Sequence, residues 1–178
     1  MIYCVFLKQV SFHKMFIQMD DLKNLFETNG FSDVKTIIRS GNVLFSSEEN
    51  VDTLYAKIKK MLHNYYNYDI DIFIRNIDEI KQLIANNPYE IEKGFYHQVF
   101  ICDHNFTKTL EREFLNCALL DGEKFTANNG VLYWKYLKLT RFTSNILKTS
   151  SRETLKHNFT LRTVGTLKKV ILEYLKSI

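Results

Sequence analysis

The feature that most limits how this chain can fold is an order of patterns that occurs twice. Ile2–Leu7 is a short apolar run, and Leu22, Leu25 and Phe26 then recur at helical spacing before Asn29-Gly30. Val34–Ile38 is rich in β-branched residues, Arg39-Ser40-Gly41-Asn42 has turn chemistry, and Val43–Phe45 is apolar again. Behind Asn50, a plausible helix cap, Val51, Leu54, Tyr55, Ile58, Met61, Leu62 and Tyr65 form a long stripe at helix period. Ile70, Ile72 and Ile74 then alternate with Asp71 and Phe73. Periods near 3.6 mark helices and periods of 2 mark strands. The expected order over residues 1–76 is β-α-β-β-α-β.

Asn76 and Glu79 have capping-box spacing and open a helix through Ile77, Ile80, Leu83 and Ile84, which stops before Asn86-Asn87-Pro88. Residues 77–94 therefore read as a bridging helix and linker. The same order then returns over 95–178. Tyr96–Cys102 reads as a strand, and Leu110, Phe114 and Cys117 mark a helix. Lys124–Ala127 and Val131–Lys135 form a hairpin about Asn128-Asn129-Gly130. Phe142 to Leu147 reads as helical and Phe159–Arg162 as a strand. A terminal helix carries Leu167, Val170, Ile171, Tyr174, Leu175 and Ile178 on one face. The halves share no matching residues, so the repeat is one of architecture. The fold class this predicts is α+β: two ferredoxin-like (βαββαβ) halves with mainly antiparallel sheets, a bridging helix and a C-terminal helix.

Several activities are set aside by what is missing. The five histidines, His13, His63, His97, His104 and His157, are scattered without ligand spacing. Cys4, Cys102 and Cys117 are widely spaced in apolar segments and form no CxxC pair, so they read as buried free thiols. There is no Walker A loop, no dinucleotide fingerprint and no GxSxG elbow. No cofactor and no metal are expected. The paired acids Asp20-Asp21, Glu48-Glu49 and Asp78-Glu79 sit at helix starts, where they complement the helix dipole. No apolar run approaches the roughly 20 residues that span a bilayer. The start, Met1-Ile-Tyr-Cys-Val-Phe-Leu7, reads as a strand and not as an export signal, so a cytoplasmic location without membrane contact is expected.

Charge is uneven. Residues 1–134 hold 14 Lys+Arg against 18 Asp+Glu, while 135–178 hold 10 against 2. A basic C-terminal quarter attracts anions or nucleic acid. Lysines outnumber arginines 18 to 6, however, and only 4 alanines occur, a bias that AT-rich coding also produces.

Two corners combine groups that could hold an anion. In a ferredoxin-like first half, the exit of strand one, the start of helix one and the strand two–strand three turn share one rim. Lys8, Lys14, Arg39, Ser40, Gly41 and Asn42 would then converge there, with cations, polar groups and a helix N-terminus. An ordinary turn with solvated charges needs the same residues. The second corner is Arg162-Thr163, where Thr163 would cap the last helix and Arg162 would supply countercharge. A plain cap is the simpler reading. Phe45 and Phe100 are candidates for stacking bases on an open sheet, and core packing is the competing assignment.

Ile17-Gln-Met19, Leu22, Leu25, Asn29-Gly30-Phe31-Ser-Asp-Val34 and Ile38-Arg39-Ser40-Gly41-Asn42-Val43-Leu-Phe45 resemble the N-terminal signature of a bacterial family, domain of unknown function 1697. Leu161-Arg162-Thr163-Val164-Gly165-Thr166 resembles its C-terminal arginine–threonine motif. The resemblance implies a cytosolic bacterial protein with a duplicated ferredoxin-like fold, and no activity. The family's glycine-rich arginine-glycine-isoleucine-asparagine loop is here the glycine-free Lys8-Gln9-Val10-Ser11-Phe12-His13-Lys14. Its serine-lysine pair is Thr140-Arg141, and its asparagine and tryptophan are Thr163 and Val164.

The functional expectation is a binding module for an anionic ligand, either a phosphate-containing small molecule or nucleic acid, in a monomer or weak homodimer. The alternatives are an enzyme on a small anionic substrate, for which no catalytic group is identifiable, and a structural or protein-interaction module.

Overall fold

The computed structural model describes residues 1–8, 17–38 and 41–176, except for the side chain of His104. Contacts divide the chain into two compact units, one of Met1–Lys81 with Lys169–Ile178 and one of Gln82–Lys168. The chain's final residues thus group with its first, a pairing that chain order does not announce.

In the first unit, β1 (Ile2–Leu7), α1 (Met19–Thr28), β2 (Ser32–Ile37), β3 (Asn42–Ser46), α2 (Val51–Tyr66) and β4 (Ile72–Asn76) follow in order. The sheet order is β2-β3-β1-β4, and each neighbour is antiparallel. Alternation decides which side chains share a face. Tyr3, Val5 and Leu7 of β1 join Val43 and Phe45 of β3 and Ile72 and Ile74 of β4 in one core. Leu22, Leu25 and Phe26 of α1 and Leu54, Ile58, Met61 and Leu62 of α2 cover it. Each such side chain, fully buried, contributes about 1.5–3 kcal/mol. Val51, Tyr55 and Tyr65, read in sequence as part of the α2 stripe, are instead exposed at its edge. Asn50 caps α2 by accepting the Thr53 N–H at 2.9 Å.

α3 (Ile77–Ala85) opens with the expected capping box: Asn76 N–H donates to Glu79 at 2.8 Å and Glu79 N–H donates to Asn76 at 2.9 Å. The second unit then builds β5 (Phe95–Cys102), α4 (Thr107–Leu115), β6 (Lys124–Asn128) and β7 (Val131–Leu137). α5 (Asn145–Ser150), α6 (Glu153–Lys156), β8 (Phe159–Thr163) and α7 (Val164–Leu175) complete the chain. Its sheet order, β6-β7-β5-β8, repeats that of the first. Both sheets place the first strand between the third and fourth, the arrangement of a ferredoxin-like unit.

Two sequence readings are corrected. The stretch from Phe142 to Leu147 is not one helix. A 3₁₀ segment over Lys138–Thr143 ends at Ser144, whose hydroxyl caps the separate α5 by accepting the Ile146 N–H at 3.1 Å. Cys117 lies beyond the end of α4, because Asn116 closes that helix. Phe45 and Phe100 are core residues, 0% and 2% exposed, so neither forms an open stacking surface. Among the described residues no helix is long and apolar enough to cross a membrane.

Candidate functional site

The first corner is built by backbone. The Leu7 N–H donates to the Gly41 carbonyl at 2.7 Å, and the Lys8 N–H donates to the Asp71 carbonyl at 2.8 Å. The exit of β1, the end of the β2–β3 turn and the entry to β4 therefore meet at one rim. Gly41 has φ 68°, the left-handed region that glycine enters without penalty. Asn42 is fully buried, and its amide donates to the Ile37 carbonyl at 2.9 Å, which closes the turn. Lys14, Arg39 and Ser40 lie outside the described residues. Tyr66, at the end of α2, feels Asp21 of α1; burial, then Tyr65 and Asp21, pushes its phenol up to about 12.

The second corner is engaged internally. Arg162 is 7% exposed and donates to the Thr160 hydroxyl at 2.7 Å and the Leu161 carbonyl at 2.9 Å. Thr163 caps α7: its hydroxyl accepts the Thr166 N–H at 3.0 Å.

A feature that sequence reasoning missed lies beside the first corner. The C-terminal half of α7 belongs to the first unit and lines a groove of about 370 Å³ with the end of β2. Thr36, Ile37 and Ile38 form one wall; Lys169, Leu172, Glu173 and Lys176 form the other. Lys35 adds a third ammonium, donating to the Glu173 carbonyl at 3.2 Å. Lys176, hydrogen-bonded to Glu173 at 2.5 Å, holds that carboxyl below the usual range, and Lys35 contributes. Lys35 and Lys176 thus act on Glu173, and Lys169 lines the same groove. Ile38 itself has φ 49°, a strained setting for a β-branched residue, directly after β2.

The second unit has a different polar feature on the helix-facing side of its sheet. Trp134 stacks on Tyr136 with ring centroids 3.9 Å apart, and Gln98 donates to the Tyr136 hydroxyl at 3.2 Å. Burial raises the Tyr136 pKa, while Arg141 draws it back. On the opposite face, Lys135 donates to Glu92 at 2.6 Å beside the buried His97.

The chain is similar to known proteins in family and in fold. The profile of a protein family of unknown function, DUF1697, matches residues 1–133. No curated protein matches. A solved structure described as that of conserved bacterial protein SP0830 from Streptococcus pneumoniae is similar, with a TM-score of 0.79 and 14% sequence identity over 97% of each chain. At that identity the likeness concerns the fold.

Proposed function

The chain belongs to the protein family of unknown function DUF1697, and from its own residues we propose that it is a binding module for an anionic ligand. The observation that carries this reading is the groove between the end of β2 and α7. It gathers Lys169 and Lys176, from the basic C-terminal quarter, beside the strand that leads into Arg39. Lys35, Lys169 and Lys176 outnumber Glu173, and Thr36 supplies a hydroxyl. Lys176, one residue beyond the end of α7, also offsets the negative end of its dipole. An entering anion exchanges with Glu173 for Lys176, so ligands with two or more charges are favoured over monovalent ones.

Calorimetric titration with inorganic pyrophosphate and with a short single-stranded RNA, both at low salt, tests this. Saturable binding of either, weakened about tenfold or more by Lys169→Gln with Lys176→Gln, is the expected result. Heat of binding from neither probe sinks it. A protein-interaction role is the second reading, favoured by Leu139 and Phe142, which are 97% and 80% exposed.

A further inference from the structure

Among the described residues of the second unit five side-chain polar atoms are buried without a hydrogen-bond partner; besides the Asn87 amide oxygen and the His97 Nδ1, they are the Trp134 indole N–H, the Gln98 amide oxygen and one Glu123 carboxylate oxygen, and these last three belong together. Their residues are 1%, 8% and 7% exposed. They adjoin one another on the sheet. Gln98 lies opposite Trp134, and Tyr96 opposite Tyr136. Phe125 lies opposite Trp134 on the other side, and Glu123, just before β6, is close enough for its charge to act on Tyr136. The remaining polar atoms of the group are committed: the Gln98 amide nitrogen donates to Tyr136, and the second Glu123 oxygen accepts the Leu120 N–H at 2.9 Å. Folded proteins pair nearly all buried polar groups, because an unpaired one forfeits its hydration. Three on adjoining residues call for a common partner.

The neighbouring Lys138–Thr143 segment is suited to close over such a partner. Arg141 acts on the Tyr136 hydroxyl and sits 5.6 Å from the Phe142 ring. Lys138 lies 5.1 Å over the Tyr96 ring. The Phe142 ring itself is largely bare.

We infer that this patch binds a small planar ligand carrying N–H donors beside an acceptor, the chemistry shared by a nucleobase edge and an aromatic primary amide. The ligand's donors answer the Gln98 and Glu123 oxygens, and its acceptor takes the Trp134 N–H. Its ring packs against Phe142, and Lys138 and Arg141 accommodate a phosphate where one is attached. The site lies in the other unit from the lysine groove and does not depend on it.

Trp134 is the only tryptophan, so its single indole N–H resonance in a nitrogen–proton correlation spectrum reports on the site directly. Adenosine, guanosine, cytidine, uridine and nicotinamide are titrated separately into the full chain; the nucleosides and the amide distinguish the two sources of the shared chemistry. The expected result is a saturable displacement of that resonance by at least one probe. Binding should weaken about tenfold or more in Gln98→Leu. Phe142→Ser, at an exposed position, should weaken it too while leaving the melting temperature unchanged, and it carries the comparison if Gln98→Leu does not fold. A resonance that none of the five moves at millimolar concentration overturns the inference. So does equal binding by the folded variants, or a crystal structure at saturating probe with ordered water alone against the three atoms.

Discussion

Ile38 shows how a single residue can carry a cost that its neighbours enforce. It follows β2 with φ 49°, and it is 40% exposed, so little burial offsets the strain. A β-branched side chain in this region costs on the order of 1–3 kcal/mol. Ile38→Asn, which tolerates the left-handed region, should raise stability by about 1 kcal/mol, read as a higher urea midpoint at unchanged slope. An unchanged or lower midpoint would show that Ile38 repays its strain through contacts in the groove. Residues acting through the chain next to them were legible: Asn50, Asn76 with Glu79, and Thr163 all cap the helices their sequence positions indicate. Residues acting across long separations were not. Nothing local to Lys169 or Lys176 signals that α7 brings them to β2. Gln98 and Glu123 left only a faint sign, a polar residue at an inward position of an otherwise apolar strand and another just before a strand.

Elements were legible where one period ran uninterrupted. α2 and the strands of both sheets show clean patterns, and the strand order follows once two β-α-β-β-α-β runs are recognised. Reading failed between Lys138 and Lys156, where short helical pieces are separated by caps at Ser144 and Arg152 and no piece is long enough to show a stripe. β5 and β7 also set a pH dependence. His97 of β5 is buried beside Lys135 of β7; burial first, then the Lys135 charge, lowers its pKa below 6.5, with Glu92 opposing. Well above 6.5 the ring is neutral in both folded and unfolded chains and contributes nothing to the slope. Below it the unfolded chain takes up a proton that the folded chain resists, so stability falls with acidification. Glu92, Glu153 and Glu173, whose carboxyl pKa values are lowered by lysines, add their losses only at lower pH, below 4.5. Urea midpoints measured between pH 7 and pH 5 should decline in the wild type and flatten in His97→Gln. A decline of the same steepness in both would assign it elsewhere.

At the scale of the whole molecule, the question is whether a net charge of +4 acts as a diffuse field or through a place. Ten of the 24 Lys+Arg lie in residues 135–178 with only two acids. A diffuse field predicts that removing any two lysines weakens polyanion binding alike. A built site predicts otherwise, because each ammonium at a phosphate releases counterions that a distant one does not. For single strands, each contact contributes about 0.7 to the slope of log affinity against log salt. Lys169→Gln with Lys176→Gln should therefore lower the slope for single-stranded RNA by about 1.4. Lys93→Gln with Lys108→Gln removes the same charge at exposed positions in the other unit and should leave the slope close to that of the wild type. Filter binding across a salt series measures both. Equal slopes in the two double variants would mean that the basic quarter attracts anions without a site, and that the Lys169–Lys176 face of α7 only balances the helix it belongs to.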